Sequence, residues 1–417
     1  MEHGTLIILI TLAVGAYMAW NIGANDVANA MGTSVGSKAI SLRNAMIWAA
    51  IANFCGAFLI GPRVSETIRG KIVDPTLFTG SDINLFVIGM LAALLASAIW
   101  IHIATYLGWP VSTSHAVVGA VFGFGLVVKG VHAIHWKVIF NIVLSWIISP
   151  VFGGILSALI FIAILRLILF AKSPILSAKR WIPLIIGITT AILLLSLFYK
   201  GLESLKLEIK PYQTFTIAIC GAIIAYFLGV LWMRAIKLED EKSSRQQRFK
   251  VVEGIFARMQ IVSALYVAFA HGANDVANAI GPAAAVVQVS QSGFIDVHAP
   301  VARWLLVFGG LFIGLGTCTW GYKVIKTVGE KITGISPSRG FAAEFSTATT
   351  VLICSQLGLP ISTTHTIVGA VVGVGLVRGM RVNLGVIRRV LESWLYTIPF
   401  SAILTVVIYY IVKAIIL

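Results

Sequence analysis

One eight-residue segment occurs twice in this chain without a change. Gly23-Ala24-Asn25-Asp26-Val27-Ala28-Asn29-Ala30 returns as Gly272-Ala273-Asn274-Asp275-Val276-Ala277-Asn278-Ala279, the copies starting 249 positions apart. A second motif follows the same rule. Gly108-Trp109-Pro110-Val111-Ser112-Thr113-Ser114-His115 returns as Gly358-Leu359-Pro360-Ile361-Ser362-Thr363-Thr364-His365, 250 positions on, and Gly119-Ala120 and Gly369-Ala370 keep that register. Two motifs in one order at nearly one spacing indicate that a whole structural unit has been duplicated.

The unit is built for lipid. Of 417 residues, 58% are hydrophobic and 11% charged, and the mean hydropathy is +0.95. A soluble domain carries about 25% charged residues. This composition excludes a disordered chain, a disulfide scaffold and an ordinary soluble enzyme, and it points to an all-α polytopic membrane protein. The net charge of +15, from 31 Lys+Arg against 16 Asp+Glu, fits cytoplasmic loops and anionic headgroups. No basic patch interleaved with aromatics stands outside the apolar segments, so nucleic acid is not a partner. Cys55, Cys220, Cys318 and Cys354 lie in apolar stretches without CxxC spacing and read as small buried apolar residues. Residues 5–20 lack a basic flank and a cleavage site, and read as a retained span.

A crossing needs about 20 apolar residues. About twelve transmembrane elements meet that pattern, near 5–30, 44–61, 83–107, 108–128, 138–170, 182–199, 213–233, 254–280, 302–322, 341–357, 358–377 and 390–416. Ser149-Pro150 would kink or split the 138–170 element. The segment 234–258, with Arg234, Lys237, Lys242, Arg245, Arg248, Lys250 and Arg258, reads as a solvated cytoplasmic loop. Counting outward puts Lys172, Lys179, Arg180, Lys323, Lys326, Lys331, Arg339, Arg378, Arg381, Arg388 and Arg389 inside and both termini outside. Arg63–Lys71 falls outside, against the bias. The organisation is then a first repeat over 1–170, connecting helices over 171–233, a loop over 234–253 and a second repeat over 254–417. Five elements per half with two between give the repeats opposite orientation, an arrangement that favours broken or re-entrant helices at the centre.

Asp26 and Asp275 sit inside apolar segments, where an acid costs about 2.5–3.5 kcal/mol on insertion scales. Gly23 and Gly272 weaken a helix there. An unwound segment would turn their carbonyls, the amide oxygens of Asn25 and Asn274 and the two carboxylates toward a hard cation, and Asn25 and Asn274 count among the candidate anion-binding residues as well. A helix-packing face explains the Gly and Ala but not two identical carboxylates in lipid. In the second motif, Pro110 breaks any preceding helix and Ser112 or Thr113 caps a new one. Such a half-helix aims free N–H groups and its positive dipole end inward, with hydroxyls from Ser112, Thr113 and Ser114, mirrored by Ser362, Thr363 and Thr364. That is an anion site, although a plain proline kink with a cap has the same sequence. His115 and His365 read as hydrogen-bonded supports rather than direct ligands.

No Lys or Arg lies within the four motifs. An anion held by neutral donors beside two carboxylates is repelled strongly in a low dielectric, so cations or protons must stand between them. Binding of the cation then creates the anion site, which is symport. Asn25 and Asn274 favour sodium over the alternative, a proton, because a proton has no use for neutral oxygen ligands. A membrane-embedded metal-dependent phosphohydrolase is the competing reading, but both sites are duplicated, whereas chemistry needs one asymmetric centre. No organic cofactor is expected.

These paired motifs, flanking a central hydrophilic loop, resemble the inorganic phosphate transporter family, often called PiT, over essentially the whole chain. The resemblance implies a symporter of inorganic phosphate with sodium or protons in the cell's inner or plasma membrane, built as an inverted repeat. The family also includes sulfate carriers, so the resemblance leaves a proton-coupled phosphate or sulfate permease of the same fold as the alternative, and it is compatible with a homodimer paired through scaffold helices. Glu66 and Glu344 are similar to functionally important glutamates of relatives, which implies a further cation site or a gating role. Leu94 stands where the first repeat would match Glu344, and Lys326 where the second would match Glu66.

Overall fold

Apolar helices account for nearly all of the chain. Its computed structural model describes residues 2–109, 111–198, 209–236, 244–296, 299–325, 335–377 and 384–416. Among these, thirteen α-helices run in the order α1 (Glu2–Gly36), α2 (Leu42–Ile60), α3 (Pro62–Gly70), α4 (Ile83–Tyr106), α5 (Thr113–Lys129), α6 (Trp136–Ile164), α7 (Pro174–Phe198), α8 (Pro211–Ala235), α9 (Arg245–Ser292), α10 (Arg303–Thr319), α11 (Pro337–Gln356), α12 (Thr363–Val377) and α13 (Leu384–Ile416). Each of the twelve expected elements is one of these helices, and the chain is an all-α polytopic membrane protein. Eight helices are long and apolar enough to cross a bilayer. At 1.5 Å per residue, the 17 residues of α5 and the 15 of α12 reach only about 25 and 22 Å, short of a hydrocarbon core of about 30 Å. Their first residues, Thr113 and Thr363, are buried, so both begin at the centre of the protein as re-entrant helices.

The repeats interlock. α1 packs on α10 and α2 on α9, and the seams are lined by glycine. A Cβ added at Gly23 would stand 1.9 Å from the Ile313 carbonyl oxygen, and one at Gly272 2.0 Å from that of Asn53. Gly316 meets the Trp20 carbonyl and Gly56 that of Phe269 in the same way, each at 1.9 Å. The re-entrant helices cross over too: α5 packs on α13, and α12 on α6. Gly119 faces the Ile398 carbonyl at 2.7 Å and Gly369 that of Pro150 at 2.1 Å. Each half thus completes the other's core.

Several expectations are corrected. The octapeptides are not unwound: α1 passes through one and α9 through the other without a break, because glycine serves there as a surface for a touching backbone. The described part of the central loop is mostly helix, since α9 starts at Arg245 under a capping box formed by Ser244 and Gln247. Pro150 lies inside α6, which continues as one element into a π-helical turn at Leu165–Leu169. The cysteines are free but not buried: Cys220 and Cys318 are exposed, and Cys55 and Cys354 half-buried. Pro110, 237–243 (with Lys237 and Lys242), Lys326, Lys331, Arg378 and Arg381 lie outside the described residues.

Candidate functional site

Four helix segments meet at the centre: the octapeptides in the middle of α1 and α9, and the N-termini of α5 and α12. The starts of the half-helices follow from their own sequence. Ser112 caps α5 by accepting the His115 amide at 3.3 Å, and Ser362 caps α12 by accepting the His365 amide at 3.2 Å. Both residues therefore serve first as caps. The next residue reaches the carboxylate of its own repeat: Thr113 donates to Asp26 Oδ2 at 3.0 Å, and Thr363 to Asp275 Oδ2 at 3.3 Å. Ser114 crosses to the other half, its one hydroxyl proton facing two acceptors, the Ile361 carbonyl at 2.8 Å and Asp275 Oδ1 at 3.3 Å. Its counterpart Thr364 accepts from Asn29 at 2.8 Å and lies 3.4 Å from the Val111 carbonyl. Every one of these side chains is buried.

The asparagines repeat the symmetry. Asn25 donates to Thr105 Oγ1 at 2.8 Å and to the Trp109 carbonyl at 3.1 Å; Asn274 donates to Ser355 Oγ at 2.9 Å and to the Leu359 carbonyl at 3.2 Å. Asn29 donates to Asp26 Oδ1 at 3.2 Å, and Asn278 to Asp275 Oδ1 at 3.0 Å. With their N–H groups spent, the buried Oδ1 atoms of Asn25, Asn274 and Asn278 have no hydrogen-bond partner among the described residues. A buried acceptor left so is costly unless a cation or other donor meets it.

His271 breaks the symmetry, because Ile22 stands at its place before the first octapeptide. Its Nε2 lies 3.1 Å from Asp275 Oδ2 and 3.5 Å from Asp26 Oδ2, and its Nδ1 is 2.7 Å from Asn53 Oδ1. One ligand atom from each of Asp26, His271 and Asp275 falls within 4.8 Å of the others. Two carboxylate charges at that separation repel by about 3.5 kcal/mol in an effective dielectric of about 20, a repulsion that a proton, the His271 ring when charged, or a cation between them relieves.

The structure brings Asp26, Asp275, Asn25, Asn274, Thr113, Ser114, Thr363 and Thr364 together, with Ser112 and Ser362 behind. Gly23 and Gly272 are set apart from them in role: their carbonyls belong to continuous helices, and that of Gly23 accepts from Thr317 Oγ1 at 3.2 Å. Glu344 makes a second nest, two turns along α1 from Asp26. It is fully buried and accepts from Thr33, from Ser34 at 2.7 Å, from Gln260 at 3.0 Å and from Ser263 at 2.6 Å. Its counterpart Leu94 is buried in an apolar cluster. Glu66 stands on α3, where its charge acts on Arg69 together with Asp296. His115 and His365 meet with ring centroids 4.4 Å apart, and His115 lies tilted against Trp146 with centroids 3.7 Å apart. Sequence reasoning missed His271, Asn29, Asn278 and the Glu344 partners; for His271 the signal was a polar residue one position before the repeated segment and four before Asp275, on one helix face.

Known proteins resemble the chain over nearly its whole length. The model of the phosphate transporter family matches residues 22–405. A protein of Pyrococcus abyssi named as a candidate phosphate permease is 43% identical over 403 residues, covering 96% of this chain and 97% of that one. The chloroplastic inorganic phosphate transporter 2-1 of Arabidopsis thaliana is 42% identical over 419 residues, covering 95% of this chain and 70% of that one. Among solved structures, one described as the sodium-dependent phosphate transporter superposes with a TM-score of 0.91 at 42% identity, over 99% of this chain and 100% of that one.

Proposed function

The chain belongs to the phosphate transporter family, and from that membership we propose that it is a secondary symporter carrying inorganic phosphate inward with sodium. Phosphate binds between the N-termini of α5 and α12, held by Thr113, Ser114, Thr363 and Thr364 and by the first-turn amides, with Ser112 and Ser362 fixing the helix starts. Sodium ions occupy the space between that anion and the carboxylates of Asp26 and Asp275, completed by the amide oxygens of Asn25 and Asn274. The observation that carries this reading is the mirrored pair of contacts from Thr113 to Asp26 and from Thr363 to Asp275, which sets each anion-facing helix end directly against a carboxylate.

Those contacts also supply a coupling step. A hydroxyl has one proton to give, so donation to the carboxylate and donation to an oxyanion are alternatives. A cation taking over the carboxylate releases the proton to turn toward phosphate, and phosphate in turn favours the cation. Sodium is preferred to a proton because the unpartnered oxygens of Asn25, Asn274 and Asn278 suit a hard metal ion. Glu344 in its hydroxyl nest is assigned as an additional cation or gating site, and Glu66 as a gate residue on α3. On the positive-inside count, both termini are assigned to the outside and the basic 234–258 segment to the cytoplasmic side.

The test is uptake of labelled phosphate by proteoliposomes of the purified full chain under an imposed sodium gradient. Accumulation that follows the sodium gradient is expected; uptake indifferent to sodium and to protons alike would overturn the assignment.

A further inference from the structure

Beyond the central motifs, the duplication also relates two basic residues. Gly56 and Gly316 make equivalent seam contacts, with the Phe269 and Trp20 carbonyls, which are themselves equivalent positions three residues before Gly272 and Gly23. Arg63 stands seven residues after Gly56, and Lys323 seven after Gly316. Each of these cations lies against the tip of a re-entrant hairpin. Arg63 Nη1 donates to the Gln356 carbonyl at 3.0 Å, at the last turn of α11. Lys323 Nζ lies 5.4 Å from the ring centroid of Tyr106, at the last turn of α4, and 4.9 Å from that of Trp320. Tyr106 and Gln356 are equivalent in turn, 250 positions apart.

From each tip the path to the centre is short. Three residues past Gln356, the Leu359 carbonyl accepts from Asn274, next to Asp275; three past Tyr106, the Trp109 carbonyl accepts from Asn25, next to Asp26. Because the repeats are inverted, the two cations mark opposite ends of the route through the centre. Both side chains are half-buried, neither sealed in the core nor extended into bulk solvent.

Resting on the phosphate-symport reading above, we propose that Arg63 and Lys323 are paired positioning residues for phosphate, Arg63 at the outer mouth and Lys323 at the inner mouth of the route. A dianion approaching a low-dielectric opening needs local positive potential, yet the centre has no Lys or Arg that would trap it. Basic residues one tip away from the centre meet both requirements. The Arg63 guanidinium, held against the Gln356 carbonyl, is a planar fork that matches two oxygens of a phosphate. The Lys323 ammonium rests on ring faces, an attraction an oxyanion competes with readily. When the anion takes either cation, the hairpin tip loses a contact, which ties arrival of cargo to movement of that tip.

The test compares Arg63→Gln and Lys323→Gln, using labelled inorganic phosphate and a saturating sodium gradient, in intact cells and in inverted membrane vesicles. Arg63→Gln should raise the half-saturating phosphate concentration about tenfold for uptake into cells and less than about twofold for transport into inverted vesicles. Lys323→Gln should show the reverse. Lys323→Arg, which keeps the charge, should restore most of the affinity, and Arg63→Lys a part of it, because lysine keeps the charge but lacks the planar fork. A shift of equal size on both faces, or no shift on either, overturns the proposal, as does failure of the charge-conserving variants to rescue. Wild-type protein that carries no phosphate would instead overturn the symport reading itself.

Discussion

Asp26 and Asp275 were legible from sequence because a carboxylate in lipid is costly and needs a reason; their surroundings were not. Asn53, whose amide oxygen orients His271, lies 218 residues from it and reaches it only through the packing of α2 on α9. The hydroxyls were recognised as donors, but not that Thr113 and Thr363 would give their protons to the carboxylates, since that depends on how four helices converge. At this scale the expectation concerns charge. Asp26→Asn and Asp275→Asn keep the shape and remove the anion that holds the cation, so each should lower sodium-driven phosphate uptake by about a hundredfold, about 2.7 kcal/mol. Circular dichroism and size-exclusion profiles should stay those of the wild type. Sodium-dependent uptake that persists in both variants would remove these residues from the centre.

Among the elements, the long spans declared themselves by hydropathy, and the two half-helices by proline followed by Ser-Thr. α3 was missed because its nine residues are too few for a hydropathy window. The expectation of unwinding at the octapeptides failed for a clear reason. Glycine lowers helix propensity by up to about 1 kcal/mol relative to alanine, and sequence alone does not separate a glycine that breaks a helix from one that lets another backbone touch it. Gly23 and Gly272 are of the second kind. Gly272→Val should therefore force α9 away from α2, where even a Cβ would stand 2.0 Å from the Asn53 carbonyl oxygen. A loss of about 1–3 kcal/mol is expected, read as a lower midpoint in thermal unfolding of the detergent-solubilised protein. An unchanged midpoint would show that the seam is looser than these contacts require.

For the molecule as a whole, the duplication was the strongest signal in the chain, and it foretold two matching sets of carboxylate, amide and hydroxyl side chains. It did not foretell their inequality, which comes from His271 against Ile22 and from Glu344 against Leu94. Cation and anion that share one centre must obey reciprocal linkage. Titration calorimetry should find phosphate affinity rising with sodium concentration, by a factor of about 5–150. Phosphate should raise sodium affinity by the same factor. Independent affinities would separate the two ligands and remove the basis for coupling.

The glycine seams carry a last implication, about descent. α1 on α10, α2 on α9, α5 on α13 and α12 on α6 are all contacts between halves, so a half-length ancestor on its own would have left these surfaces open to lipid. It could close them only against a twin threaded the opposite way up. Joining the two halves in one chain fixes that opposed pairing at one to one and spares each half the search for its partner.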